Sequence, residues 1–392
     1  MPWSETSAME QRVAFIRDVK CGNLSMSELC LRYGISRKTG YKWLERFDRF
    51  GVVGLEQRSH AAHRVHNATS EELVNELLAV RLEHPSWGAK KALKVVGDRR
   101  PELELPARST VCDIFQRCGL VERRPRRPKP GHPGRPNLEV TAPTACWSAD
   151  HKGQFRTLDG RLCFPLTVTD NYSRYLLCCH AQPVISIEGA LKTYERLFRE
   201  FGLPERIRTD NGVPFATTGL ARLSRLSAWC IRLGVVPELI EPGRPQQNGR
   251  HERMHRTLKA ETTRPPQRNL AAQQRRFDSF LSEFNNARPH EALDMQMPAQ
   301  HYTTSPRPMP DKLPSIEYPG HFERRIVGSN GGIRWRKGYV GVTSALIGEW
   351  VGLEPVDDAE WDVYYGRFRV GRLHEKTMRI EDKYGRVNRG SV

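Results

Sequence analysis

Acid is what this sequence is short of. Its 45 Asp and Glu are outnumbered by 62 Lys and Arg, leaving a formal charge of +17 and a pI near 9.7. Such an imbalance is unusual for an enzyme of small-molecule metabolism and points to a polyanionic partner, nucleic acid or an anionic membrane. The membrane is the weaker choice. No apolar run approaches the roughly 18–20 residues that cross a bilayer. The start, "MPWSETSAMEQR", has neither the basic nor the apolar region of a signal peptide. Basic residues are also spread along the whole chain rather than gathered on one amphipathic segment. Cysteine pairing is missing too: there are 9 Cys, an odd number, with no C-x-x-C. Cys163, Cys178 and Cys179 sit inside apolar runs, as small buried hydrophobes do. A reduced, cytoplasmic chain is expected, not a disulfide framework. His60, His63 and His66 are evenly spaced but have no Cys or acidic pair nearby to complete a tetrahedral zinc site, so they read as polar linker.

What is present changes in texture along the chain, and its length allows two to four domains at roughly 100–200 residues each. Residues 1–60 read as a helix-turn-helix domain. "MEQRVAFIRDVK" is amphipathic, with Val13, Phe15 and Ile16 apolar. "SMSELCLRYGISRKTGYKWLERF" gives a short helix, a turn at Gly34 and a second helix capped by Ser36. That second helix offers Arg37, Lys38, Thr39 and Lys42 near its start, where recognition helices meet bases and phosphates. A plain α-hairpin with a basic face is the alternative. Residues 61–122 read as a second helical DNA-binding unit, of helix-turn-helix or winged-helix kind, with "RSTVCDIFQRCGL" as another candidate recognition helix.

Residues 123–142 form a basic, Pro-rich linker that cannot build a core. Its Arg123, Arg124, Arg126 and Arg127 suit a strap along phosphates, or a bare solvated connector. Three β-like runs follow from Cys146, then alternating helices and strands. This indicates an α/β core with a mixed sheet, over 143–305. "LARLSRLSAWCIRLG" reads there as one helix. The tail, 320–385, reads as a small β-barrel of SH3-like kind. In it Arg334, Arg336, Lys337, Arg367 and Arg369 alternate with Trp335, Tyr339 and Tyr365 as a possible nucleic-acid surface.

Three carboxylates in the α/β core stand out. Asp150 lies inside the first strand, where an acid is costly unless it faces a polar site or a metal. Asp210 ends the fourth strand, just before an Asn211-Gly212 turn. Glu252 is the single acid of the basic stretch "RPQQNGRHERMHRTLK", where an ordinary ion pair with Arg256 is the plain alternative. If the first and fourth strands are neighbours, all three can meet at the crevice where α/β sheets bind ligands. Oxygen donors without His or Cys suit Mg²⁺ or Mn²⁺. Two such ions can drive phosphodiester displacement, with Arg256 and Lys259 holding the scissile strand. Asp170 in "TVTDNYSR" and Asp159 in "TLDGR" read as turn residues instead.

These blocks carry a resemblance. "WSADHKGQF", "TVTDNYSRYLL", "IRTDNGVPF", "PQQNGRHERMHRTLK" and "FNNARPHEAL" resemble, in order, the signature blocks of bacterial insertion-sequence transposases with a retroviral-integrase-type core. The resemblance covers roughly residues 143–300, and the N-terminal helices and β-rich tail also resemble members made as one reading frame. It implies an RNase H-like fold with a five-stranded mixed sheet and a DDE triad of Asp150, Asp210 and Glu252. It implies metal-dependent cutting at transposon ends, with two Mg²⁺ or Mn²⁺ ions, and direct attack of the freed 3′-hydroxyl on target DNA. Homo-oligomers working on paired double-stranded DNA ends are implied as well. The chain departs from retroviral integrases in a longer Asp210–Glu252 segment and in having helix-turn-helix units where they carry a zinc-binding domain.

A mixed five-stranded core with helices in front and strands behind

The computed structural model describes residues 7–57, 68–121, 140–241 and 244–387. Arg123, Arg124, Arg126 and Arg127 lie outside the described residues, as do His60, His63 and His66 and most of the Pro-rich linker. The chain divides into two compact units, Met1–Thr69 and Ser70–Val392.

The described residues of the first unit form three α-helices, α1 (Ala8–Cys21), α2 (Met26–Arg32) and α3 (Arg37–Phe50). Each begins where its sequence supplies a cap. Ser7 and Ser25 form reciprocal capping boxes with Glu10 and Glu28, and the Ser36 hydroxyl accepts from Thr39 N–H. Gly34, at φ +64°, turns the chain between α2 and α3 in the left-handed region that glycine enters freely. Gly40 lets α3 close on its neighbours: a Cβ there would meet Cys30 Sγ at 2.6 Å and Phe15 Cζ at 3.1 Å. Phe15, Ile16, Leu29, Cys30 and Leu55 make the core. Val13, expected beside Phe15 and Ile16, is 41% exposed. At 3.6 residues per turn it stands about 110° from the middle of the face those two define.

In the second unit, α4 (Glu71–Glu83), α5 (Ala89–Arg99) and α6 (Arg108–Arg117) close over Leu77, Val80, Trp87, Val96, Val111 and Phe115. The central sheet follows, built from β1 (Cys146–His151), β2 (Phe155–Arg156), β3 (Leu162–Asp170), β4 (Leu176–Gln182), β5 (Arg206–Thr209) and β6 (Val236–Leu239). Five strands run in the order β4-β3-β1-β5-β6, and the two-residue β2 pairs with the start of β3. The pairs β4/β3 and β3/β1 are antiparallel, whereas β1/β5 and β5/β6 are parallel. The sheet is mixed, as the alternation of strands and helices predicts.

Four helices cover it: α7 (Ile187–Phe201), α8 (Arg225–Arg232), α9 (Gly249–Thr262) and α10 (Leu270–Asn286). Strand alternation divides them between two faces. Trp147, Ala149, Leu166, Val168 and Ile207 pack with α7 and α8 in one cluster. Cys163, Leu176 and Cys179 pack with Met254, Leu258, Phe277, Phe280 and Phe284 of α9 and α10 in another. The single helix expected over "LARLSRLSAWCIRLG" is not formed. Ala221 and Arg222 take positive φ values, and Ser224 starts a new helix through a capping box with Ser227. The break is held from the tail, because Ala221 N–H donates 2.8 Å to Asp382 Oδ2. Tertiary contact there overrides helical periodicity.

The tail comprises β7 (Glu323–Ile326), β8 (Gly332–Trp335), β9 (Gly338–Gly341), β10 (Trp350–Asp357), β11 (Glu360–Tyr365), β12 (Phe368–His374) and β13 (Arg379–Glu381). They pair as an antiparallel sheet β13-β12-β11-β10-β7 and a separate β8-β9 hairpin, sharing one core around Ile333, Trp335, Leu353 and Val363. Among the described residues no strand pairing closes the expected barrel. The expected aromatic surface needs correcting too. Trp335 and Tyr365 are core residues, while Arg336 and Arg369 are ion-paired with Glu375 and Asp362. Strand alternation turned these rings inward, where hydrophobic burial outweighs exposure to a ligand.

Candidate active site

Period-two alternation decides which side chains share a face with α9. With Trp147 and Ala149 directed to α7, Ser148 and Asp150 fall on the opposite face of β1. Thr167 and Thr169 of β3 fall on that face by the same count, as does Arg208 of β5. Strands β1 and β5 are parallel neighbours with Ala149 beside Thr209, so Asp150 and Asp210 are the next residues on adjacent strands. The condition set by the sequence, that the first and fourth strands be neighbours, is met.

Asp210 is anchored by its own turn. Gly212 N–H donates 3.1 Å to Asp210 Oδ1, and Asn211 Nδ2 donates 3.0 Å to the Ile240 carbonyl. A Cβ at position 212 would lie 3.2 Å from Asp210 Oδ2, so a side chain there would crowd the carboxylate. Glu252 stands in the first turn of α9, where the unsatisfied backbone N–H groups favour a negative charge. It is exposed, and no ion pair joins it to Arg256 among the described residues. Arg256 and Lys259 are likewise exposed on α9.

The charges of the other two acids reach Asp150. Burial raises its pKa first, and the charges of Asp210 and Glu252 add to that, so the Asp150 carboxyl is pushed up to about 7. Among the described residues no three His, Cys, Asp or Glu side chains stand close enough to form a ready-made metal cluster. The carboxylates share a field more than a cage.

Two residues that sequence reasoning passed over complete this face. His251 and His255, one turn apart on α9, are both buried against β3. Thr167 Oγ1 lies 2.7 Å from His251 Nε2 and 2.6 Å from His255 Nε2, and it donates 3.1 Å to the Asp150 carbonyl. Thr169 Oγ1 lies 2.8 Å from His251 Nδ1. A hydroxyl has one proton and two lone pairs, which assigns the tautomers. Thr167 accepts from Nε2–H of both rings, and His251 Nδ1 accepts from Thr169. The bare Nδ1 of His255 then faces Asp150 Oδ2 at 3.7 Å. That contact is not an ion pair, because burial pushes His251 down to about 3 and His255 lower still. A lone pair facing a carboxyl favours the protonated acid. The sequence held a signal for this network: His at i and i+4 on a helix, and Thr at i and i+2 on a strand.

The other expectations fall as follows. Asp170 is a structural residue: Oδ1 accepts from Thr144 N–H, and Oδ2 accepts from both the N–H and hydroxyl of Ser173. Asp159 accepts from Arg161 N–H within its turn. On α3, Arg37, Lys38 and Lys42 are exposed, whereas Thr39 is half-buried with its hydroxyl 2.9 Å from that of Ser36.

Comparison with known proteins bears on the same segments. Residues 140–245 and 233–298 match two models of the integrase core domain. Residues 11–63 match a helix-turn-helix domain, and residues 39–115 match a homeodomain-like domain. The chain is 27% identical over 201 residues to the 31.7 kDa protein of insertion element IS407 from Burkholderia multivorans, covering 50% of this chain and 70% of that one. It is 24% identical over 258 residues to the 39.2 kDa protein of IS476 from Xanthomonas euvesicatoria, covering 64% and 70%. Solved structures similar to it include the HTLV-2 integrase catalytic core in complex with magnesium, at 14% identity and a TM-score of 0.34, over 42% of this chain and 99% of that one. The simian T-cell lymphotropic virus intasome is another, at 16% identity and a TM-score of 0.37, over 75% and 97%. The chain thus carries an integrase core domain behind N-terminal helix-turn-helix domains and is similar to proteins of bacterial insertion elements.

Proposed function

We propose that this protein is the DNA transposase of a bacterial insertion sequence. It binds the inverted repeats at the element's ends, cuts there, and joins the freed 3′-hydroxyl to target DNA. The observation that carries the reading is the juxtaposition of Asp150, Asp210 and Glu252: a half-buried carboxyl beside a second on the adjacent parallel strand, under the charge of a third on α9. Burial and the two neighbouring charges both disfavour the ionised Asp150, and a bound cation would relieve them.

The donor set fits Mg²⁺ or Mn²⁺. It is all carboxylate oxygen, and Mg²⁺ keeps to a few carboxylates, filling its remaining positions with water and phosphate oxygens. Asp150, Asp210 and Glu252 would hold the metal, as a pair of ions. When bound, the ions activate the attacking oxygen and stabilise the leaving one. The chain's own residues do the rest. Thr167, His251 and His255 brace α9 against β3 and so fix where Glu252 sits relative to Asp150. Arg256 and Lys259, exposed one and two turns beyond Glu252, bind strand phosphates.

In this reading residues 1–60 and 61–122 grip the repeats, with Arg37, Lys38, Thr39 and Lys42 on α3 meeting DNA. Arg123, Arg124, Arg126 and Arg127 of the linker 123–142 strap phosphates. Residues 143–305 do the chemistry, and the β-rich segment 320–385 serves as an accessory domain. The protein works in the cytoplasm as a homo-oligomer on paired double-stranded ends. The test is to incubate it with labelled end duplex, target plasmid and Mg²⁺. Covalently joined product supports the transposase. Fragments without joining would make it a nuclease, and shifted but intact DNA would make it a DNA-binding regulator.

A further inference from the structure

A second cationic site lies beside α9, lined by Arg250 and Arg253 on that helix. Within the second unit, a cavity of about 400 Å³ opens between α5, α9, the end of β3 and the segment after α10. Its cations are Lys91, Arg174, Arg250, Arg253 and Arg288. Among the described residues two acids line it, and both are committed elsewhere. Asp170 accepts from Thr144 and Ser173, and Glu291 pairs with Lys90 at 2.7 Å. Arg288 has its own buried partner, Glu261, at 2.8 Å. That leaves Lys91, Arg174, Arg250 and Arg253 without an ion pair among the described residues.

The arrangement is costly as it stands. Burial, with the neighbouring charges of Arg250 and Arg253, lowers Arg174 to about 10. Burial and the Arg288 charge lower Lys91 to about 8, against the pull of three glutamates. Like charges gathered in a half-enclosed space are tolerated where an anion comes between them. Arg174 and Arg250 each donate to the Asn171 carbonyl, at 3.1 and 2.9 Å, which holds the two guanidiniums together without neutralising either. The volume is within the range of small-ligand pockets. Phe284 and His290, with ring centroids 4.7 Å apart, give the wall an aromatic part, and the Nε2 of His290 is buried without a partner.

We infer that this cavity is a phosphate-binding site of nucleotide size, separate from the Asp150–Asp210–Glu252 face, and that a phosphodiester of bound DNA fills it. The source in DNA rests on the transposase reading, whereas the phosphate chemistry does not. Because Lys91 comes from α5 and the arginines come from the core, an occupied site would clamp the second helical module to the catalytic sheet.

The test uses the full chain carrying Lys91→Gln and Arg174→Gln together. The variant loses two charges that burial and their neighbours disfavour, so it is expected to melt no lower than the parent. Lys91→Gln alone, at the half-buried edge, serves if the pair does not fold, and Lys91→Arg is the charge-keeping control. Affinity for a labelled duplex is measured over a salt series. Each lost phosphate contact should reduce the slope of log K against log salt by about 0.9, with several-fold weaker binding near 0.1 M salt. Unchanged duplex binding, together with a pyrophosphate-induced rise in melting that the parent shows and the variant lacks, would support the same site with a free phosphoanion as its occupant. If duplex slope, duplex affinity and the pyrophosphate response are all the same in parent and variant, the inference is overturned. Failure here leaves strand joining by the parent intact, and failure of joining leaves this binding result intact.

Discussion

Replacing Asp150 by Asn should stabilise the metal-free protein at neutral pH. The side chain is 20% exposed, and its pKa moves from 3.8 to about 7. A carboxyl whose folded pKa is raised helps stability fully below the unfolded pKa. That help is lost as pH climbs through the folded value. The loss therefore runs from about pH 4 to pH 7 and is flat above. At about 1.36 kcal/mol per pH unit, the whole excursion is worth about 4 kcal/mol as a ceiling, and about 2 kcal/mol once the site relaxes. Asn is nearly the shape of the protonated acid and keeps no charge. The assay is thermal or urea unfolding of parent and Asp150→Asn in chelator, from pH 4 to pH 8.5. The two should match near pH 4 and separate steadily to about pH 7, the variant ending higher. Mg²⁺ should then raise the parent's melting temperature and leave the variant's nearly unchanged, since a ligand stabilises only the state that binds it. A variant equal to or below the parent at pH 8, or a gap independent of pH, would refute the argument that burial and its neighbours disfavour the charged Asp150.

Thr167→Val removes the hydroxyl shared by His251, His255 and the Asp150 carbonyl. It should cost about 1–3 kcal/mol of stability by unfolding titration and reduce joining more than end binding. Arg288→Ala leaves Glu261 without its ion-pair partner and removes the guanidinium over Trp87, and it should cost about 3–5 kcal/mol, whereas replacing both partners by similar-sized apolar residues should cost far less; urea melts of the three proteins decide it. Gly40→Ala should destabilise the N-terminal unit by about 1–3 kcal/mol and weaken end binding, read by circular dichroism melts and gel shift.

How much of this was legible in sequence depends on range. Ser36 and Gly34 announced the turn and the start of α3 because caps are local chemistry. The carboxylates were legible because an acid within a strand and an acid before Asn-Gly are each conspicuous. Their juxtaposition needed one fact beyond any motif, that β1 and β5 are parallel neighbours. The break at Ala221 was not legible, since it depends on Asp382, far along the chain. Trp335 and Tyr365 passed for a binding surface because Arg residues alternate with them, and alternation alone does not say which face is buried. His251 and His255 were hidden by their setting: in so basic a stretch they read as more surface charge, yet they are the neutral, buried part of α9.

The most direct measurement is strand joining by Glu252→Gln beside its binding of labelled end duplex. The substitution removes one exposed carboxylate and leaves the buried His251–Thr167–His255 contacts intact. The account predicts parent-like end binding with joined product lost in Mg²⁺. Joining near the parental rate would contradict it.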